Sequence, residues 1–180
     1  LQSGDEASDR RLAVDPIPVA CETVMALSSF VTRRLDIFHP AVLTVGRITA
    51  GTTSNIIPET AKLLATLRTV SEHTRAEAKR GIVRVIEGVA AAHDCRAEVG
   101  IEEGYPVTMN DMGVVARVEE LTAELFGQPS LLTMDHPVMG AEDFSYVLEQ
   151  IPGALAFIGV CPYGTDPRRG RGCNSNRMTL

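Results

Sequence analysis

A chain of 180 residues with 44% hydrophobic content is long enough for one domain or one and a fraction, and apolar enough for a packed core. Its formal net charge of −6 argues against nucleic acid or an anionic membrane surface as the main partner. No apolar run approaches the ~20 residues that a membrane-spanning helix needs. Cys21, Cys95, Cys161 and Cys173 are scattered without paired spacing, which suits reduced thiols in the cytoplasm better than a disulfide framework. The opening Leu1-Gln2-Ser3-Gly4 has neither a starting Met nor a signal segment. The expectation is an artificial boundary or a chain that begins inside a larger protein.

Asp15-Pro16 is a strong helix start, with Asp as the N-cap and Pro at the first helical position. Behind it Ile17, Ala20, Cys21, Val24, Leu27, Val31 and Leu35 recur at helical steps, predicting an amphipathic helix to about Leu35 with Cys21 on its apolar face. His39-Pro40 closes the connection, because the residue before proline avoids the helical region. Residues 41–49 and 62–70 read as strands around turn chemistry at 51–58. Ser71 then caps a helix with Ala78, Ile82, Val85, Ile86 and Val89 on one face, ending near His93-Asp94. From Cys95, the alternation of Ala97, Val99 and Ile101 with Arg96, Glu98 and Glu102 predicts a half-buried strand. Should the first residues add one more strand, the order is that of a ferredoxin-like layer, an antiparallel sheet with two helices on one face. A free sheet edge or uncovered face would favour a second copy of the chain.

The texture changes after Gly104-Tyr105-Pro106. Asn110 or Asp111 caps a helix bearing Val114, Val115, Val118, Leu121 and Leu125, closed by Gly127. A short apolar piece follows at 131–134, residues 141–150 read as helical, and 154–160 form an apolar run suited to a buried strand. These elements are too few to close an α/β sheet. The fold class expected is therefore α+β: one complete layer followed by the C-terminal part of an α/β domain.

Four stretches carry a resemblance: Asp15-Pro16-Ile17, the loop Gly51-Thr52-Thr53-Ser54-Asn55-Ile56-Ile57-Pro58, Gly104-Tyr105-Pro106, and Met139-Gly140-Ala141-Glu142-Asp143-Phe144-Ser145. In order and spacing they resemble the aminoacylase and hippurate hydrolase family, which includes the indole-acetyl-amino-acid hydrolases. The resemblance covers nearly the whole chain. It implies a ferredoxin-like lid and dimerisation domain over residues 1–103, and the tail of an α/β metallohydrolase domain over 104–180. It also implies a family reaction: hydrolysis of the amide bond of N-acyl amino acids at a divalent metal centre of zinc, manganese or cobalt.

Carried over residue by residue, the resemblance assigns Asn55 to a substrate-facing lid asparagine. Arg68 matches a lid arginine that grips a substrate carboxylate, a task suited to the guanidinium fork. Gly140 and Glu142 fall in the stretch that lines the pocket. Read from spacing alone, Asn55 could equally stabilise its turn and Arg68 could be a solvated strand residue. Glu142 and Asp143 invite an acid–base pairing, but neighbouring helical residues diverge by ~100°, and Asp143 could equally cap the helix.

The departures from the family are as informative. Its His-x-Cys-Gly-His-Asp stretch, Glu-Glu pair and further histidine lie upstream of the lid and have no counterpart in this sequence. The C-terminal Asn-His-Ser corresponds to Cys173-Asn174-Ser175, placing Asn174 at the position of a histidine ligand. An amide is a poor zinc ligand beside imidazole. The lid motif Gly-Gly-His-Ala-Ser, followed by Pro-His, aligns with Gly4-Asp5-Glu6-Ala7-Ser8 and then Arg10-Arg11. His39, His73, His93 and His136 are dispersed and read as structural or solvated. The same reading suits His93-Asp94-Cys95 and the basic Arg168-Arg169-Gly170-Arg171 tail. The expectation is thus a fragment or remnant of an amidohydrolase, inactive by itself, with no catalytic residues and no resident cofactor. The alternative is a non-catalytic dimerising or carboxylate-binding module, including a free-standing amino-acid-binding regulatory domain.

Overall fold

In a computed structural model, residues 14–127, 131, 133–134 and 136–158 are described. Glu6, Arg10, Arg11, Cys161, Cys173, Asn174 and the 168–171 tail lie outside them. The elements run α1 (Pro16–Arg34), β1 (Ala41–Ala50), β2 (Ala61–Thr69), α2 (Glu72–Ala92), α3 (Met112–Phe126) and the short α4 (Phe144–Leu148). The chain divides into two compact units, Leu1–Val107 with Leu132–Tyr146, and Thr108–Leu131 with Val147–Leu180.

In the first unit, α1 starts where the sequence places it: the Asp15 carboxylate accepts from the Ile17 amide at 2.9 Å, satisfying one of the first-turn N–H groups. Its inward face is carried by Val19, Ala20, Thr23, Leu27 and Phe30, so the helix is rotated from the predicted stripe. Cys21 is exposed and Ile17 is 40% exposed. Thr23 is buried at no polar cost because its hydroxyl donates to the Val19 carbonyl one turn earlier, at 2.8 Å. Ser71 caps α2 by accepting from the Thr74 amide. At its other end the Cys95 amide donates back to Ala90 at 2.9 Å while Asp94 adopts φ 56°.

β1 and β2 pair antiparallel, from Ala41 opposite Thr69 to Ala50 opposite Ala61, with one irregularity between Val45 and Arg47. Leu27, Phe30, Leu35, Ala78 and Ile82 form the core, with Ala41, Leu43, Leu67, Val85 and Ile86 against it. Both helices therefore cover one face of the hairpin. Gly81 of α2 lies against Phe30 of α1, where a Cβ would lie 1.9 Å from Phe30 Cζ; the ring occupies the volume that any other residue's side chain would need.

The predicted third strand is not paired among the described residues. Residues 95–99 keep the predicted alternation of burial but lie in no strand. A strand needs a hydrogen-bonding neighbour, and the stub expected to supply one falls in residues 1–13.

In the second unit, Asp111 rather than Asn110 caps α3, accepting from the Val114 amide at 2.9 Å. Asn110 instead ties two segments together: it donates to the Leu155 carbonyl at 3.1 Å and accepts from the Leu155 amide at 2.9 Å. Gly127 at φ 79° ends α3 in the backbone region where glycine carries no Cβ penalty. The buried strand predicted at 154–160 is not formed over its described part, where Phe157 and Ile158 are 62% and 86% exposed. An apolar run becomes a central strand only when neighbours cover both faces. The helix predicted over 141–150 is shorter, α4 alone.

Candidate functional site

Alternation along β2 sends Leu63 and Leu67 toward the helices and Lys62, Leu64, Thr66 and Arg68 to the opposite face. Arg68 stands opposite Val42 and is exposed. Its Nη1 donates to the Met139 carbonyl at 2.6 Å. That bond spans 71 residues and seats the 139–145 motif beside the outer face of the hairpin. One donor of the guanidinium is engaged, which fixes the plane of the fork and leaves the Nε and Nη2 edge for a carboxylate.

The motif is held by its own backbone as well. Ser145 is completely buried, and its hydroxyl donates to the Glu142 carbonyl at 2.5 Å. The Ser145 amide reaches the same carbonyl at 3.2 Å, and the Tyr146 amide donates to Asp143 at 3.0 Å. Just beyond, Tyr146 meets Tyr105 edge to face, with ring centroids 5.7 Å apart, a favoured aromatic geometry. Gly140 and Glu142 are exposed. A Cβ on Gly140 would find only ordinary contacts at 3.7 Å and 3.9 Å, so close packing does not demand glycine there.

Asn55 lies in the loop joining β1 to β2, where its side-chain oxygen accepts from the Thr53 hydroxyl at 2.9 Å. Arg68 is at the other end of β2, about 20 Å along the strand at ~3.3 Å per residue. The structure thus joins Arg68 to the motif carrying Gly140 and Glu142, while Asn55 makes a local turn contact.

Three further residues pin the connection after α2 and were not singled out from sequence. Lys79 pairs with Glu103, Arg75 donates to the Tyr105 carbonyl at 2.8 Å, and the Val107 amide donates to Glu72 at 3.2 Å. The spacing of Glu72, Arg75 and Lys79 puts them on one helix face, a legible signal; their partners are not legible. The side-chain hydrogen bond from Lys79, then its charge, holds the Glu103 carboxyl below its ordinary range. Among the histidines, His39 meets Asp36 at 3.1 Å and His93 meets Glu22 at 2.6 Å.

Residues 18–169 match the model of peptidase family M20/M25/M40. The chain belongs to this family. The M20 chain is 33% identical over 162 residues to N-acetyldiaminopimelate deacetylase of Geobacillus sp., covering 89% of this chain and 43% of that protein. It is likewise 33% identical over 155 residues to hippurate hydrolase of Campylobacter jejuni, covering 86% and 40%. It thus spans about two fifths of the length of the curated relatives it matches. Its fold resembles a dinuclear metal-binding peptidase of family M20 from Bacillus subtilis, with TM-score 0.66 and 29% identity over 78% of this chain and 35% of that one.

Among the described residues, no three His, Cys, Asp or Glu side chains gather as metal ligands. By themselves these residues do not fit a dinuclear centre. Nor is any described helix long and apolar enough to cross a membrane.

Proposed function

We propose that this chain is the lid and C-terminal tail of an M20 amidohydrolase acting on N-acyl amino acids, with Arg68 as the grip for the substrate carboxylate. The observation that carries the reading is the bond from Arg68 to the Met139 carbonyl. It orients a cation beside the family's pocket-lining motif while leaving a bidentate edge free. In this reading residues 1–103 form a ferredoxin-like lid that associates with a second copy, residues 104–180 complete a metal domain, and the protein works in the cytoplasm. Asn55, Gly140 and Glu142 line the substrate path. In this reading the chain by itself binds ligand without turnover, because Asn174 stands where the family has a histidine ligand and an amide is a poor zinc ligand beside imidazole.

The test is calorimetric titration with hippurate and with the hippurate amide, which lacks the carboxylate. Hippurate should bind and the amide should not; Arg68→Ala should abolish binding, and Arg68→Lys should weaken it through loss of the fork. Hippurate and its amide binding alike would remove Arg68 from its assigned role. Release of glycine from hippurate by the zinc- or manganese-equilibrated chain would overturn the inactivity. The alternative, a carboxylate-binding module with no catalytic descent into hydrolysis, shares the exposed Arg68; binding of free amino acids tighter than that of their acyl derivatives would favour it.

A further inference from the structure

The outer face of the β1–β2 hairpin carries a second cationic feature at the end remote from Arg68. Strict alternation from Ala41 would turn Arg47 and Thr49 inward with Leu43 and Val45. The register prevents this: Val45 pairs with Ala65 and Arg47 with Leu64, so Gly46 is an extra, bulged residue that flips the parity of all that follows. Arg47 and Thr49 therefore share the outer face with Leu64 and Lys62. Arg47 stands opposite Leu64, and Lys62 opposite Thr49, so the two cations are diagonal neighbours at roughly 7–8 Å.

Arg47, Lys62 and Thr49 line a pocket of about 320 Å³ together with Gly51, Thr52 and Thr60. Neither cation forms an ion pair among the described residues. Arg47 Nε donates to the Thr49 hydroxyl oxygen at 3.1 Å. That bond fixes the guanidinium and frees the Thr49 hydroxyl hydrogen to donate elsewhere. Two like charges at this separation repel one another, and an anion placed between them would relieve that repulsion.

We propose that this end of the hairpin is a phosphate-binding site. The donors decide for phosphate over carboxylate. Besides the two cations, Thr49, Thr52 and Thr60 bring three hydroxyls to the lining of the same pocket, a number of donors that suits a group with three or four acceptor oxygens. A carboxylate offers two oxygens in one plane. The site is separate from the carboxylate grip, since Arg68 lies about 20 Å away along the strand, although Gly51, Thr52 and Thr60 flank the loop that carries Asn55.

The test is an amide NMR titration of the full chain with inorganic phosphate, ionic strength being held constant with chloride. Saturable shifts confined to Arg47, Thr49, Gly51, Thr52, Thr60 and Lys62 are expected. Lys62→Ala and Arg47→Ala should each weaken the affinity by about tenfold or more, the loss of one hydrogen bond to a charged group. Lys62→Gln, which keeps most of the chain length, should do the same with the rest of the spectrum unchanged. Arg84→Ala, an equal loss of charge on an exposed position of α2, should leave binding intact. Shifts that fail to saturate, an equal loss with Arg84→Ala, or acetate acting as well as phosphate would each overturn the proposal.

Discussion

Substituting Gly81 by alanine tests the packing that holds α1 on α2. A Cβ at this position lies 1.9, 2.5 and 2.8 Å from three atoms of the Phe30 ring. Non-bonded carbons settle at about 3.5–4.0 Å, so the ring must retreat by at least ~1.6 Å. Phe30 is 7% exposed and shares its core with Leu27, Leu35, Ala78 and Ile82, which leaves it little room. Overpacking of this kind costs about 1–3 kcal/mol, with the upper end fitting a clash against an aromatic ring. Alanine returns about 1 kcal/mol through helix propensity. The net expectation is a destabilisation of about 2 kcal/mol, or a fall in Tm of about 4–8 °C for a chain of this size. Thermal and urea melts followed by circular dichroism measure it. Phe30→Leu removes the clashing end of the ring, so the double variant should be more stable than the sum of the single losses, with a coupling of about 0.5–3 kcal/mol. A Gly81→Ala chain that melts at or above the parent temperature, or strict additivity with Phe30→Leu, would refute the reasoning.

Asp15→Ala should cost about 1 kcal/mol through loss of the α1 cap, visible as faster hydrogen exchange of the Ile17 amide than in the parent. Asn110→Ala removes both bonds to Leu155 and should cost about 1–3 kcal/mol, read as faster exchange at Leu155. Asn110→Asp keeps the acceptor for the Leu155 amide, so that amide should stay protected. Because Glu103 titrates below its ordinary range in the folded chain, its contribution is present above the unfolded value near 4.3 and is lost as pH falls through the lower, folded value. Carboxyl NMR should find Glu103 titrating low in the parent and returning upward in Lys79→Ala; an unchanged midpoint in that variant would contradict the assignment.

Local rules written in the sequence carried far. Asp15, Ser71 and Asp111 cap helices, and residues 41–50 and 61–69 form the hairpin, because caps and β-branched runs act over a few residues. What escaped was set by distant partners. The rotation of α1 depends on which stripe Phe30 and Thr23 present to α2 and the sheet. Pairing of residues 95–101 depends on a neighbouring strand, not on their own alternation. The two bonds of Asn110 depend on Leu155, 45 residues away, and no periodicity announces that meeting. In the candidate site, Arg68 and the 139–145 motif were each legible; the bond between them was not.

The bulge at Gly46 also changes what mutation can do to this strand. Losing one residue from the middle of a strand ordinarily turns every later side chain to the wrong side. Here the opposite holds: with Gly46 deleted, Val45 and Arg47 would become consecutive residues facing Ala65 and Leu64, which are already consecutive. Ile48 would still face the helices and Arg47 the outside. The hairpin therefore has one position at which its length can shrink over evolutionary time without rewriting either face, whereas a deletion at Thr44 would consume the same bulge only by turning Val45 outward and leaving Gly46 on the inner face.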